Sequence, residues 1–207
     1  MFIERMKEKF KENEPIFTEE ILASFPEFSR AQIFRYIKKA KENGEIEQFD
    51  RGIYYFPRKT FFGMLPLTAD MVIEKKFLRK EKEIFGIYSG ITLLNAFSVT
   101  TQIPAVVEIV SNNESAKYRE IIIKGRKFIL RRSRFLIDQE NVAIYRILQL
   151  FNDFDEETQL NAFSKTVLID YMKAKGISGR ELLKSALRFP PQTMQKLIGS
   201  GVLDDIA

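Results

Sequence analysis

The spacing of apolar residues changes at Gly44, and this change constrains the fold of the first part of the chain most strongly. Before Gly44, apolar residues recur at i, i+3 and i+4, as on the buried face of a helix. After it, residues 45–57 alternate over two short runs, separated by a turn at Asp50, Arg51 and Gly52. The sequence therefore predicts helices followed by a β-hairpin.

Three helices are expected before this hairpin, because Pro15 and Pro26 interrupt the helical pattern. Ser29 and Gln32 have the spacing of a capping box at the start of the third helix. Gly44 lies where a left-handed C-terminal cap is expected. The predicted helices are residues 2–12, residues 18–25 with Thr18 as the cap, and residues 29–44.

The third helix combines an apolar face with a basic one. In helix-turn-helix proteins the N-terminal part of such a helix enters the major groove, where Arg bonds guanine and Gln bonds adenine. Lysines later in the helix would contact phosphates. A helix whose charges are merely solvated is the alternative, and the hairpin after it favours DNA binding. The predicted DNA-binding residues are Arg30, Gln32, Arg35, Lys38, Lys39, Lys41 and, at the hairpin tip, Arg51.

Three helices followed by a hairpin is the element order of a winged helix-turn-helix, and Pro57 begins a break after it. We therefore predict a winged helix-turn-helix DNA-binding domain in residues 1–60 and a mixed α+β domain in residues 61–207. The fold class is α+β with a helical C-terminal part. In the second domain, short connections between strands predict antiparallel pairing. The predicted strands are residues 84–88, 105–112, 119–125 and 127–133, and the predicted helices are residues 69–80 (capped by Thr68), 90–97, 139–151, 164–175, 179–188 and a short one after Pro191.

Charge is spread unevenly over a chain of net charge +5. Residues 61–135 carry 13 basic and 7 acidic side chains, whereas residues 136–207 carry 8 and 10. A basic centre indicates a polyanionic partner near the first two thirds of the chain.

The composition argues against catalysis. The chain has no Cys and no His, which removes thiol nucleophiles, the usual zinc ligands and the commonest general base. Phosphate-binding glycine loops are absent too. We expect no enzyme, no cofactor and no metal, and we interpret the acidic run at residues 153–157 as a helix start. An enzyme acting through carboxylates is the remaining alternative.

A basic cluster occupies residues 124–134. In a strand, Lys127 and Arg131 would share one face with Ile129, while the other face would be built around Phe128 and Leu130. Either a nucleic-acid or partner surface or an edge strand protected by charge would explain the cluster. Its basic residues are Lys124, Arg126, Lys127, Arg131, Arg132 and Arg134.

A polar segment at residues 89–104 (SGITLLNAFSVTTQIP) is the last unusual feature. Without a His or a Lys-containing motif, Ser89 is a poor nucleophile, so we interpret these groups as helix caps and turn formers.

The chain resembles the AbiEi-like antitoxins of type IV (abortive-infection) toxin–antitoxin systems over nearly its whole length. The resemblance begins at RGIYYFP and FFGMLP and ends at RFPP near the C-terminus. Ser98 departs from the pattern, which has Gly before Val-Thr-Thr-Gln. The matching residues of the central motif are Gly86, Ser89, Gly90, Asn95, Thr100, Thr101, Gln102 and Pro104.

The resemblance implies a DNA-binding antitoxin that represses its own promoter and opposes a nucleotidyltransferase-like toxin, without requiring a stable complex with it. The protein is expected to be cytoplasmic, because no secretory signal or membrane-spanning run is evident. The alternative is an interaction scaffold whose winged helix binds a partner protein instead of DNA.

Overall fold

Helices and short β-sheets make up the computed structural model, which describes residues 2–61, 63–155 and 160–205. The α+β class predicted from the sequence is confirmed. Contacts divide the chain into two compact units, Met1–Lys75 and Lys76–Ala207. The domain boundary near residue 60 stays a prediction. Within the described part of the chain, no helix is both long and apolar enough to cross a membrane.

The first unit begins with three helices, α1 (Phe2–Lys9), α2 (Thr18–Ser24) and α3 (Arg30–Glu42). Both α1 and α2 pack against α3. Ile33, Ile37 and Ala40 of α3 are buried at the spacing of one helix face, as predicted. The three helices therefore bury one face of α3 and leave the opposite face exposed.

Two helix ends differ from the sequence-based prediction. Helix α1 ends at Lys9 instead of residue 12. Thr18 does not cap α2, because its hydroxyl donates to the carbonyl of Gly52 at 3.1 Å. Glu20 satisfies the start of α2 instead by accepting the N–H of Phe17 at 3.1 Å. Thr18 thus ties α2 to the turn of the hairpin.

A three-stranded antiparallel sheet completes this part of the unit. The strands β1 (Ile16–Phe17), β2 (Glu47–Asp50) and β3 (Ile53–Tyr55) lie in the order β1-β3-β2. The predicted hairpin β2–β3 is confirmed, and Gly52 in its turn has a φ of +74°, which favours glycine. Strand β1, which the sequence analysis did not predict, joins the segment between α1 and α2 to the sheet.

A second hairpin, β4 (Arg58–Thr60) with β5 (Gly63–Leu65), follows where we predicted only a break. The helix predicted for residues 69–80 is shorter than expected. Thr68 caps α4 (Ala69–Ile73), as predicted, by accepting the N–H of Met71 at 3.3 Å. A π-helical turn over Glu74–Leu78 then ends the helical segment.

The second unit is built on a four-stranded sheet with the order β10-β11-β9-β8. A small hairpin, β6 (Arg79–Lys80) with β7 (Glu83–Ile84), precedes it. The four strands are β8 (Gly86–Ser89), β9 (Val107–Ser111), β10 (Arg119–Ile123) and β11 (Arg126–Arg132).

The prediction that the three strands within residues 105–133 are antiparallel was wrong for one pair. Strands β8 and β9 are antiparallel, as are β10 and β11, but β9 and β11 run parallel. A parallel pair needs a connection of about a dozen residues. Residues 112–125 provide that length, because β10 itself forms part of the connection.

Five α-helices complete the described part of the second unit, and α6 supplies much of its core. Tyr145, Leu148 and Phe151 of α6 are fully buried. Helix α6 packs against β8, α5, α8 and α9. The helices are α5 (Gly90–Ala96), α6 (Val142–Asp153), α7 (Ala162–Ala174), α8 (Gly179–Ala186) and α9 (Pro191–Gly199). The helical C-terminal part predicted from the sequence is confirmed.

Candidate nucleic-acid interface

The basic face of α3 begins at a well-formed helix start. Ser29 accepts the N–H of Gln32 at 3.3 Å, and the side-chain oxygen of Gln32 accepts the N–H of Ser29 at 2.8 Å. The predicted capping box is therefore present. A bidentate contact with adenine needs the same Gln32 oxygen, so that contact would require the cap to open.

Four of the predicted residues on α3, namely Arg30, Arg35, Lys38 and Lys39, are exposed to solvent. The guanidinium of Arg30 lies 5.5 Å from the ring centre of Phe34, and that of Arg35 lies 5.8 Å from the ring of Tyr36. Among the described residues, none of the four forms an ion pair with an acidic side chain. Their charge is thus available to an anionic surface.

The remaining two predicted residues lie at the end of α3 and in the hairpin turn. Lys41 donates from Nζ to Oε1 of Gln48 at 2.5 Å, which joins the end of α3 to β2. The backbone N–H of Arg51 donates to Asp50 at 2.6 Å, while the Arg51 residue is exposed at the hairpin turn. Lys41 is therefore partly engaged, whereas Arg51 is exposed in the hairpin turn.

The hairpin β4–β5 adds features that the sequence analysis missed. Arg58 and Lys59 are exposed on β4, and Thr60 donates to the carbonyl of Gly63 at 2.7 Å. Phe61 is 97% exposed in the turn, and Met64 is 53% exposed on β5. Gly63 was the available signal, because it has a φ of +113° and glycine is the residue that tight hairpin turns favour.

The basic cluster of residues 124–134 divides into two groups. Lys124 and Arg126 lie at the turn between β10 and β11, and Lys127 forms an ion pair with Glu120 at 2.7 Å. Arg131, Arg132 and Arg134 instead line a cleft between the sheet and α6. The alternation of faces predicted for this strand is confirmed, because Phe128 and Leu130 are fully buried.

This cleft has a volume of about 730 Å³ and collects charged residues that are distant in sequence. Its cationic residues are Lys117, Arg131, Arg132, Arg134 and Arg188, and its other polar residues include Glu108, Ser133, Gln149, Asn152 and Asp153. The sequence analysis assigned three of these five cationic residues to a basic cluster, because Lys117 and Arg188 lie outside residues 124–134.

Two carboxylates lie in the cleft and have different partners. Glu108 accepts from Arg131, with Oε2 at 3.1 Å from Nη2. Asp153, the last residue of α6, accepts the N–H of Gly90 at 2.8 Å and the side-chain amide of Gln149 at 2.6 Å. Burial raises the pKa of Asp153 and the nearby charge of Glu108 adds to this, while these hydrogen bonds oppose the shift. Asp153 is therefore at the end of a helix, whereas the acidic run of residues 153–157 was predicted to start one. Glu156 and Glu157 of that run lie outside the described residues.

The polar segment of residues 89–104 fulfils its predicted structural role only in part. Asn95 donates to the carbonyl of Gln102 at 2.8 Å, and Thr100 accepts the N–H of Gln102 at 3.2 Å. The hydroxyls of Ser89 and Thr92 are buried and have no hydrogen-bond partner among the described residues. The predicted turn is present, but Ser89 does not cap α5 through its side chain.

Glycine is required at two positions, one shortly before this segment and one within it. A Cβ at Gly86 would lie 2.0 Å from the carbonyl oxygen of Phe77. Gly90 has a φ of +58°, and a Cβ there would lie 2.9 Å from Oε1 of Glu108. Ser98 has a φ of +56°, a conformation that glycine adopts without strain.

Comparison with protein-family models and with curated protein sequences finds no match for this chain.

Proposed function

We propose that residues 2–56 form a winged helix-turn-helix that binds double-stranded DNA with α3 in the major groove. The element order supports this assignment, because three helices precede the β2–β3 hairpin and β1 pairs with β3. In this arrangement α3 is the recognition helix and the hairpin with Arg51 is the wing.

The exposed basic face of α3 is the observation that carries the proposal. Arg30 and Arg35 lie in the first half of the helix, where base edges are read, and arginine bonds guanine in two places at once. Lys38 and Lys39 follow in the second half, at positions suited to phosphates. The capping role of Gln32 makes the two arginines the stronger candidates for reading sequence.

We further propose that the protein represses its own promoter and acts as an antitoxin without catalysing a reaction. The support is the resemblance to AbiEi-like antitoxins, which implies an operon shared with a nucleotidyltransferase-like toxin. The second unit would then provide toxin neutralisation, and the two activities would be separable by mutation.

A binding titration on the promoter fragment tests the DNA-binding proposal. In the full chain, Arg30→Ala with Arg35→Ala removes two base contacts worth about 1–3 kcal/mol each, so the affinity for the promoter should fall by about 30-fold or more. The variant should lose repression of a promoter reporter but still protect cells that express the neighbouring toxin gene.

Arg180→Ala with Lys184→Ala is the matched control, because it removes two exposed positive charges from α8. This control should retain promoter binding and repression. Equal binding of the wild type to the promoter and to random duplex would refute sequence-specific repression. Loss of both repression and protection in a folded Arg30/Arg35 variant would refute the separation of the two activities.

The alternative of a protein-binding scaffold has one observation in its favour. Phe61, Met64 and Leu65 expose apolar surface on the β4–β5 hairpin, and exposed apolar patches often contact proteins. Salt-sensitive binding to the promoter fragment would favour DNA binding over the protein-binding scaffold, because phosphate contacts release counterions.

A further inference from the structure

The cleft between the sheet and α6 has a basic rim. Of its cations, Lys117, Arg132, Arg134 and Arg188 have no carboxylate partner among the described residues. Arg134 donates to the side-chain oxygen of Asn152 at 3.2 Å, and its guanidinium lies 5.2 Å from the ring centre of Phe189. The guanidinium of Arg188 lies 4.9 Å from the ring of Phe135. Packing on rings thus places guanidinium groups at the rim without neutralising them.

The interior of the cleft presents acidic and amide side chains instead of cations. Glu108 and Asp153 present carboxylate oxygens, and Gln149 and Asn152 present amides. Gln149 is 4% exposed, so its amide is held in place by the surrounding core. An anionic group would be repelled from these carboxylates but attracted to the rim. Hydroxyl and amino groups would find acceptors in the interior.

These two features describe a ligand with an anionic end and a body rich in hydrogen-bond donors. Guanidinium groups bind phosphate through two parallel hydrogen bonds, so a phosphate fits the rim. Carboxylates bind sugar hydroxyls, as acidic residues do at the ribose of dinucleotides. A volume of about 730 Å³ is far larger than one phosphate needs and falls within the range of small-molecule sites.

We propose that this cleft binds a nucleoside phosphate, with the phosphate on the arginine rim and the sugar hydroxyls at Glu108 and Asp153. The phosphate could belong to a free nucleotide or to the end of a nucleic-acid strand, since both present the same group. This assignment does not depend on the proposed function, because the cleft is built entirely from the second unit. It also assigns Arg131, Arg132 and Arg134 a role that Lys124, Arg126 and Lys127 do not share.

Calorimetric titration of the full chain tests the assignment with adenosine, adenosine 5′-monophosphate, ribose 5-phosphate and a 5′-phosphorylated tetra-adenylate. The monophosphate should bind in a 1:1 ratio and compete with inorganic phosphate, whereas adenosine should bind at least about tenfold more weakly. Tighter binding of the tetra-adenylate would identify a strand end as the ligand, and tighter binding of the monophosphate would identify a free nucleotide. Ribose 5-phosphate binding as tightly as the monophosphate would overturn recognition of a nucleoside.

Arg132→Ala with Arg134→Ala should weaken nucleotide binding by about tenfold or more. Lys124→Ala with Arg126→Ala removes the same charge at the β10–β11 turn and should leave the affinity nearly unchanged. Because Arg134 contacts Asn152, Arg132→Ala alone serves as a second variant, and it should also weaken binding while melting like the wild type.

Equal losses in the two double variants would mean that binding reflects overall charge, and would overturn the proposal. No heat with any phosphate-bearing probe at millimolar concentration would also overturn it. Neither result affects the DNA-binding proposal, since none of these variants alters α3. Conversely, the Arg30/Arg35 variant should bind the monophosphate like the wild type.

Discussion

The two basic regions of this chain are built in opposite ways. On α3, Arg30, Arg35, Lys38 and Lys39 come from one continuous helix and have no acidic partner among the described residues. In the cleft, the cations come from positions 117 to 188, and Arg131 is paired with Glu108. On a helix, the regular backbone alone places charged side chains at the surface. A cleft needs contacts from other residues to hold its charged side chains in position. Charge changes on α3 should therefore spare stability, and changes in the supports of the cleft should not.

The largest effect on stability is expected at Arg119, which supports the segment that carries Lys117. Glu114 is 4% exposed and accepts from Arg119, with Oε2 at 2.9 Å from Nε, and from the N–H of Ala116 at 2.9 Å. Arg119→Ala leaves this buried carboxylate without its charged donor, so the free energy of unfolding should fall by about 2 kcal/mol in a denaturant titration. Arg35→Ala is the matched change on α3 and should alter the free energy of unfolding by less than about 0.5 kcal/mol.

The loss of stability caused by Arg119→Ala should depend on pH, and this dependence provides a second test. Burial alone would raise the pKa of Glu114, but hydrogen bonds from Ala116 and Arg119 outweigh burial and lower it. A carboxyl group whose pKa is lower in the folded chain than in the unfolded chain stabilises the folded chain at pH values above its unfolded-state pKa. That stabilisation is lost as the pH falls through its folded-state pKa. The difference between wild type and Arg119→Ala should therefore shrink below about pH 4. A difference of constant size from neutral to acid pH would contradict this account.

Local patterns were sufficient to predict the α3 region. The apolar spacing of Ile33, Ile37 and Ala40 predicted its buried face, and Ser29 predicted its start. Gly52 similarly predicted the turn of the hairpin, because few other residues adopt its positive φ. These features depend on neighbours within about four residues, which is why the sequence alone reveals them.

The cleft could not be predicted in the same way. Glu108, Gln149 and Arg188 meet only because β9 pairs in parallel with β11 and α6 packs both on the sheet and against α8. The sequence analysis expected antiparallel pairing, so it had no basis for placing these residues together. Strand β1 was missed for a similar reason, because two residues between helices carry no alternation that a pattern could detect.

A smaller effect is expected from the helix caps. Ser29→Ala should lower the free energy of unfolding by about 1 kcal/mol, because the first turn of α3 loses the acceptor for the N–H of Gln32. The structure offers a matched capping box in α8, where Ser178 accepts the N–H of Glu181 at 3.3 Å. The Ser178 hydroxyl also donates to the Glu181 carboxylate at 2.8 Å. Hydrogen bonds from Ser178 lower the pKa of Glu181, so the effect of Ser178→Ala should decrease as acid protonates Glu181. The effect of Ser29→Ala should not change over the same range, since Gln32 carries no titrating group. Parallel pH profiles of the two variants would contradict this difference.

The smallest effect on stability at neutral pH is expected at Tyr55. Tyr55 responds to alkali, whereas Glu114 of the second unit responds to acid. Burial, together with the hydrogen bond that the Tyr55 hydroxyl donates to Glu47, raises the pKa of Tyr55 to about 12. The folded chain therefore keeps a proton that the unfolded chain loses near pH 10, so stability is unaffected below that pH and falls as the pH rises from about 10 to about 12. The tyrosinate absorbance of the wild type minus that of Tyr55→Phe isolates this group, and its midpoint should lie near pH 12. Glu47→Gln should move the midpoint downward without restoring it fully, because burial remains. A midpoint near that of a free tyrosine would mean that the Tyr55 hydroxyl is exposed and that the hairpin packs less closely than the structure indicates.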